Sequence, residues 1–229
     1  IQKVRKTGLT FAPEAGTERL RRAINKNIKD ADIFGAAEAA WRQGWKRIKL
    51  YFMIGLPTET DDDIRGIGRL VHELRRRARQ DAGVRLEVSV AVSSFVPKAH
   101  TPFQWRGQAT PEDLRYKIGI LRDCTRAAGV KLSWNEPEES RLEAVLARGD
   151  RRVGQAILKA WEHGARFDSW QECHKREAWR RAFEQTGIRP EWYANRERPY
   201  SEVLPWDHID AGVSKKYLKL EDQRSVIET

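Results

Sequence analysis

The chain has 229 residues but only two cysteines, Cys124 and Cys173, and no C-x-x-C pair. So sparse a set argues against a secreted disulfide framework. It argues equally against a zinc site or an iron–sulfur cluster bound by this chain alone. The one metal cue, Cys173-His174 with His163 upstream, reads more simply as a half-buried thiol beside a surface imidazole. No apolar run approaches the roughly 18 residues needed to span a bilayer. The basic residues 1–6 are followed by no signal-peptide core. The expectation is a cytoplasmic protein that makes no membrane contact. Internal repeats and low-complexity segments are absent, as are a Ser-His-Asp order and a close carboxylate pair. No residue is therefore assigned a catalytic role, and no metal ligand is named.

Charge is plentiful. Lys and Arg total 43 against 33 Asp and Glu, a net charge of +10. Such a balance attracts polyanions. The basic residues are nevertheless spread along the chain and mixed with acids, which favours an enzyme with a solvated basic surface.

The organising stretch is K-R-I-K-L-Y-F-M-I-G-L-P-T-E-T, from Lys46 to Thr60. Its apolar run reads as a parallel strand covered on both faces, ending at Gly55. An α/β protein places its ligand at the C-terminal end of such a strand. Before it, Leu9 to Ala12 form a short strand ended by Pro13, with a turn at Glu14 to Gly16 and Thr17 as a helix cap. Leu20, Ala23, Ile24 and Ile28 make one stripe of the helix that follows. Another helix starts at Asp30, turns Ile33, Ala36, Ala37, Ala40 and Trp41 inward, and ends at Gly44.

After the turn, Thr60 and Asp63 form a capping box for a helix reaching about Gln80, and Gly83 ends it. The Arg75-Arg76-Arg77 run is its solvated end. A strand over Leu86 to Val92 follows, then the loop S-S-F-V-P-K-A-H-T-P-F-Q-W, a helix from Pro111 to Ala128 and a strand from Val130 to Trp134. This alternation means βαβ units and a parallel sheet. Residues 1–134 are too few for a complete eight-stranded barrel. From 135 to 229 the composition shifts: helical patterns cover Pro137–Arg148, Val153–His163 and Ser169–Thr186, and Tyr200–Thr229 reads as an irregular tail.

Three motifs in this order carry a resemblance: F-A-P-E-A-G-T-E-R-L-R-R-A-I-N-K, I-G-L-P-T-E-T and S-S-F-V-P-K-A-H-T-P-F-Q-W. The first half resembles the radical S-adenosylmethionine (radical SAM) enzymes, in particular an uncharacterised subfamily whose longer members carry an upstream cobalamin-binding-type domain. The resemblance implies an α/β fold, the C-terminal half of a partial (βα)6 TIM-like barrel, followed by a mainly helical extension. It implies a SAM pocket in which Glu14 faces the ribose and Lys26 neutralises a carboxylate. Gly55, Leu56 and Pro57 would offer backbone to the adenine edge, with Ile54 or Leu56 packed on its face. Phe95 and Val96 would pack against adenine, or plug the end of the last barrel strand. Glu59 holds the turn.

In the family, three cysteines in a C-x-x-x-C-x-x-C loop bind a 4Fe-4S cluster, which reduces SAM to a 5′-deoxyadenosyl radical. That loop and the first three strands are absent here, so the chain reads as part of a longer enzyme, inert alone, whose partner is the missing N-terminal half of the barrel. Cobalamin enters only through the subfamily likeness, and the substrate is not specified. The alternative is an RNA-binding module in the C-terminal half, using Trp179-Arg180-Arg181 and Arg198-Pro199-Tyr200 for stacking and phosphate contact.

Overall fold

Alternating burial along one strand sets the architecture. In β2 (Arg47–Ile54), Ile48, Leu50, Phe52 and Ile54 are buried while Lys49 and Tyr51 face solvent. A computed structural model describes residues 8–126, 129–168, 170 and 172–227. In it, β1 (Leu9–Glu14), β2, β3 (Glu87–Ser94) and β4 (Lys131–Trp134) pair in parallel in that order. Ile48 pairs with Val88, and Leu50 with Val90, which in turn pairs with Leu132, so one face is a continuous apolar surface. Against it pack α2 (Asp30–Arg42) through Ile33 and Trp41, α3 (Asp61–Ala82) through Ile64, Val71 and Leu74, and α4 (Pro111–Arg126) through Leu114, Ile118 and Leu121.

The opposite face corrects the expectation of a strand covered on both sides. Tyr51 is 41% exposed, Lys49 and Ser133 are exposed, and Ser89, Ala91 and Ser93 are half-buried. Apolar residues at Tyr51 and Met53 made the run look continuous, but Tyr51 stays exposed and Met53 is only half-buried, leaning on Leu20, Ala23 and Leu56.

Local chemistry explains the helix ends. Thr17 Oγ1 accepts from the Leu20 N–H and starts α1 (Glu18–Ala23). The stripe expected to reach Ile28 stops early because Asn25 takes a left-handed φ of 55°, which Asn tolerates. The wholly buried Arg21 then pins the link to α2, donating to the Ile28 and Ala15 carbonyls and to Asp30. The capping box at α3 forms: Thr60 Oγ1 accepts from the Asp63 N–H, and Asp63 accepts from the Thr60 N–H at 2.8 Å. Gly83, left-handed at φ 63°, closes the helix. Strand β1 runs through Pro13 to Glu14, two residues longer than its proline suggested.

The chain divides into two compact units. The first holds residues up to Phe95, Ala109–Pro137 and Leu220–Thr229, and the second holds Val96–Gln108 and Glu138–Lys219. The division near 134 expected from composition is close to one of these switches, while 96–108 and 220–229 each belong to the other unit. The second unit is helical: α5 (Pro137–Arg148), α6 (Val153–Glu162), α7 (Arg176–Thr186) and α8 (Pro190–Ala194). The helix expected from Ser169 begins only at Arg176, and positions 169 and 171 lie outside the described residues, as do Ala127 and Ala128 at the expected end of α4. The C-terminal segment is not irregular throughout, because α9 spans Lys215–Ile227 and passes from one unit to the other. Among the described residues no helix is long and apolar enough to cross a membrane.

Candidate functional site

The C-terminal strand ends of the first unit come together. At the end of β1, Glu14 sits at φ 70°, a left-handed conformation that strains a non-glycine residue. Pairing shifts register between Phe11 and Glu14, so the strand is irregular where it reaches this acid. Lys26 Nζ lies 3.2 Å from Glu14 Oε1, and both side chains are partly exposed. The neighbouring turn is G-L-P-T-E. Gly55 takes φ 79°, which glycine alone adopts without strain. A Cβ there would also meet Leu114 Cδ2 at 3.0 Å and Ala109 Cβ at 3.1 Å. The Gly55 N–H donates to Glu59 Oε2 at 2.7 Å, and Lys117 Nζ donates to the same oxygen at 2.5 Å.

Glu59 is therefore a turn-holding residue, as expected. Burial pushes its carboxyl up, against the pull of Lys117 and the Gly55 N–H. Thr58 is the residue that sequence reasoning missed. It also sits left-handed, at φ 64°, and its hydroxyl is buried with no hydrogen-bond partner among the described residues. A strained backbone carrying an unpaired buried polar atom is a feature of ligand sites. Its position inside G-L-P-T-E was visible in the sequence, but the positive φ was not.

Leu56 packs with Ala15, Leu20 and Ala23, and the half-buried Met53 and Phe95 lean on the same cluster. The Phe95 N–H donates to the Ile54 carbonyl at 2.8 Å, extending the strand pairing one residue. The structure thus gathers Glu14, Lys26, Gly55, Leu56 and Phe95, with Pro57 half-buried in the turn. It places two expected residues elsewhere. Ile54 points into the main core with Phe52 and Leu50, on the helix-covered face. Val96 belongs to the core of the second unit with Val145, Val153 and Ile188.

Neither cysteine is placed to hold a cluster. Cys124 Sγ donates to the Leu121 carbonyl within α4, and burial raises its thiol pKa. Cys173 belongs to the second unit. No group of three or more His, Cys, Asp or Glu suited to a metal ion occurs among the described residues. His163 Nε2 lies 3.1 Å from Gln185 Oε1, and His174 Nδ1 lies 3.9 Å from Asp168 Oδ1.

The aromatic and basic residues proposed for RNA contact are mostly occupied. Trp179 and Arg198 are buried, and Arg180 and Arg181 pair with Glu177 at 2.5 and 3.0 Å. Unengaged cations lie instead at the N-terminal strand ends of the first unit. Two adjoining grooves there are lined by Arg47, Arg75, Arg79, Arg85 and Lys131, none of which has an ion-pair partner among the described residues.

No family model matches the chain. Over 151 residues, 65% of its length, the chain is 34% identical to an uncharacterised protein of the archaeon Methanocaldococcus jannaschii. The chain spans about a third of that relative, 32% of its length.

Proposed function

We propose that this chain is part of a radical SAM enzyme and forms one wall of its S-adenosylmethionine pocket. The carrying observation is the grouping, at the C-terminal ends of adjacent parallel strands, of Glu14 paired with Lys26, the Gly55 turn with its unpaired Thr58 hydroxyl, and Leu56 with Phe95. Ligands of α/β proteins bind at such strand ends. The wall belongs to a partial barrel whose lumen side is the uncovered sheet face of Tyr51, Ser89, Ala91 and Ser93.

The donor set fits the nucleoside portion. The Glu14 carboxylate can accept two hydrogen bonds from vicinal ribose hydroxyls, and Lys26, 3.2 Å away, would hold it in place. Leu56 and Phe95 offer apolar surface to a base, and Thr58 can donate to one of its acceptors. The cluster does not fit this chain, because Cys124 and Cys173 stand in different units. Its ligands would come from the missing N-terminal half of the barrel, along with any cobalamin. When bound beside a reduced cluster, SAM supplies radical chemistry; the residues here orient it and exclude water.

The test combines the chain with the polypeptide encoded upstream of it. That segment should contain C-x-x-x-C-x-x-C, and its absence there and in any neighbouring subunit sinks the proposal. In calorimetry with S-adenosylhomocysteine, a redox-inert probe, Glu14→Gln should weaken binding by about 10- to 100-fold, the worth of a charge-assisted hydrogen bond. Unchanged affinity removes Glu14 from the pocket.

A second reading, nucleic-acid binding, is favoured by the five unpaired cations at the opposite strand ends rather than by the C-terminal half. Phosphate contact there gives an affinity that falls steeply with salt. A flat salt dependence in an RNA titration, or a slope unchanged by Arg75→Glu with Arg85→Glu, excludes this surface.

A further inference from the structure

Helix α6 carries two apolar stripes. Val153, Ala156 and Ala160 are buried and seat it in the second unit. Gly154, Ile157, Leu158 and Trp161 fall at i, i+3, i+4 and i+7, a second complete stripe. That one faces solvent: Ile157 and Leu158 are each 48% exposed, and Trp161 is 54% exposed. A Cβ on Gly154 would meet nothing within 4 Å. Arg166 lies over the Trp161 ring, its Cζ 4.7 Å from the centroid, and donates to the Trp161 carbonyl, so the half-open indole is held in place. A helix already seated by one stripe has no need of another, and contiguous exposed apolar surface marks an interface.

The second stripe is complementary to itself. Laid antiparallel on another α6, with a two-fold axis between positions 157 and 158, Ile157 meets Ile157 and Leu158 meets Leu158. Trp161 then comes opposite Gly154, which lies equally far from the axis on the other side. The largest side chain of the stripe enters the space where the second copy has none. The same register sets Arg151, exposed and without an ion-pair partner among the described residues, beside Glu162 of the second copy, already held by Lys159 at 2.8 Å. A parallel pairing would instead set Trp161 against Trp161 and Arg151 against Arg151.

Half-exposed, the three large side chains offer roughly 300 Å² of apolar surface, within the range of functional patches. That suits the centre of an interface at the small, transient end of the scale, where each side buries less than about 600 Å². We infer that this face binds a second copy of the chain, with α6 antiparallel to its counterpart in a weak dimer. The face is independent of the SAM wall and of the sheet edges of the first unit, and each can fail alone.

The experiment treats the 229-residue chain carrying Leu158→Cys with diamide, which takes up the two thiol hydrogens, and maps the linked peptides by mass spectrometry. Copies should join through 158–158, because side chains beside the axis come within disulfide reach when helix axes stand roughly 8–10 Å apart. Gln155→Cys, also exposed but turned away from the axis, should not link. Adding Gly154→Leu to Leu158→Cys should cut the 158–158 yield about tenfold, because the leucine fills the place of Trp161. A merely sticky face would gain from that leucine. Absence of the 158–158 link gives the face to some other partner and overturns the dimer. Equal linking at 155, or a yield that Gly154→Leu leaves unchanged or raises, overturns the register. The comparison of Leu158→Cys with Gln155→Cys stands whether or not Gly154→Leu folds.

Discussion

Asp63 has 2% of its side chain exposed, yet it stays ionised. Burial opposes its charge, but hydrogen bonds from the Thr17 hydroxyl, the Thr60 N–H and Arg19 hold its carboxyl below the ordinary value. A depressed carboxyl contributes stability that is present above its unfolded pKa of about 3.9 and is lost as pH falls through the folded value. Urea melts of the chain should therefore weaken below about pH 4, and Asp63→Asn should show less of that loss. Asp63→Ala should cost about 3–5 kcal/mol at pH 7, because it strands the groups that donate to the carboxylate. Glu59 shifts the opposite way, so its sign differs: a raised carboxyl stabilises most at low pH, and that contribution falls away as pH rises through the folded value. Lys117→Met leaves this buried carboxylate unpaired. Its destabilisation should be larger at pH 7 than at pH 4, and equal losses at both would remove the pair from the stability of the turn. Of these contacts only the Thr60–Asp63 box was legible in the sequence, being local. The Thr17 and Arg19 partners lie more than 40 residues upstream, and no pattern along the chain points to them.

At the scale of elements, α3 meets the β1–α1 turn through two glycines. A Cβ on Gly66 would stand 2.5 Å from the Gly16 carbonyl oxygen, and one on Gly16 would stand 2.1 Å from that of Asp63. Gly66→Ala should destabilise by about 1–3 kcal/mol or more through overpacking. Gly119 lies inside α4 with nothing within 4 Å of its Cβ position, so Gly119→Ala should stabilise by up to about 1 kcal/mol. Thermal melts of the two variants should move in opposite directions, and a shared direction refutes the contact. Helices with caps and a single apolar stripe, α2, α3 and α4, were readable from the sequence to within a few residues. Helix α9 was not, because its buried positions Leu218, Asp222 and Ser225 keep helical spacing but two of them are polar. The open face of β2 escaped for the converse reason: Tyr51 and Met53 are apolar whether covered or not. At the site, the Gly55 turn and Glu14 were readable as residue types, whereas the inward turn of Ile54 and the seating of Val96 in the second unit depend on packing.

For the whole molecule, the uncovered sheet face and the free outer edges of β1 and β4 matter most. Among the described residues β1 pairs only with β2, and β4 only with β3. Unpaired parallel edges beside an uncovered face favour association. The isolated chain should form dimers or larger species whose fraction rises with concentration in analytical ultracentrifugation; a monodisperse, cooperatively melting monomer refutes this.

The division of the chain also sets a schedule. Residues 138–219, nearly all of the second unit, emerge from the ribosome before the last ten residues that belong to the first. Strands β1 to β4 and their helices can pair early, but their unit stays unfinished until residues 220–229 have been made. Its final contacts join segments more than 80 residues apart, the kind of closure that folds slowly. A synonymous slow codon within residues 138–219 would prolong the half-built state of a unit in which it does not lie.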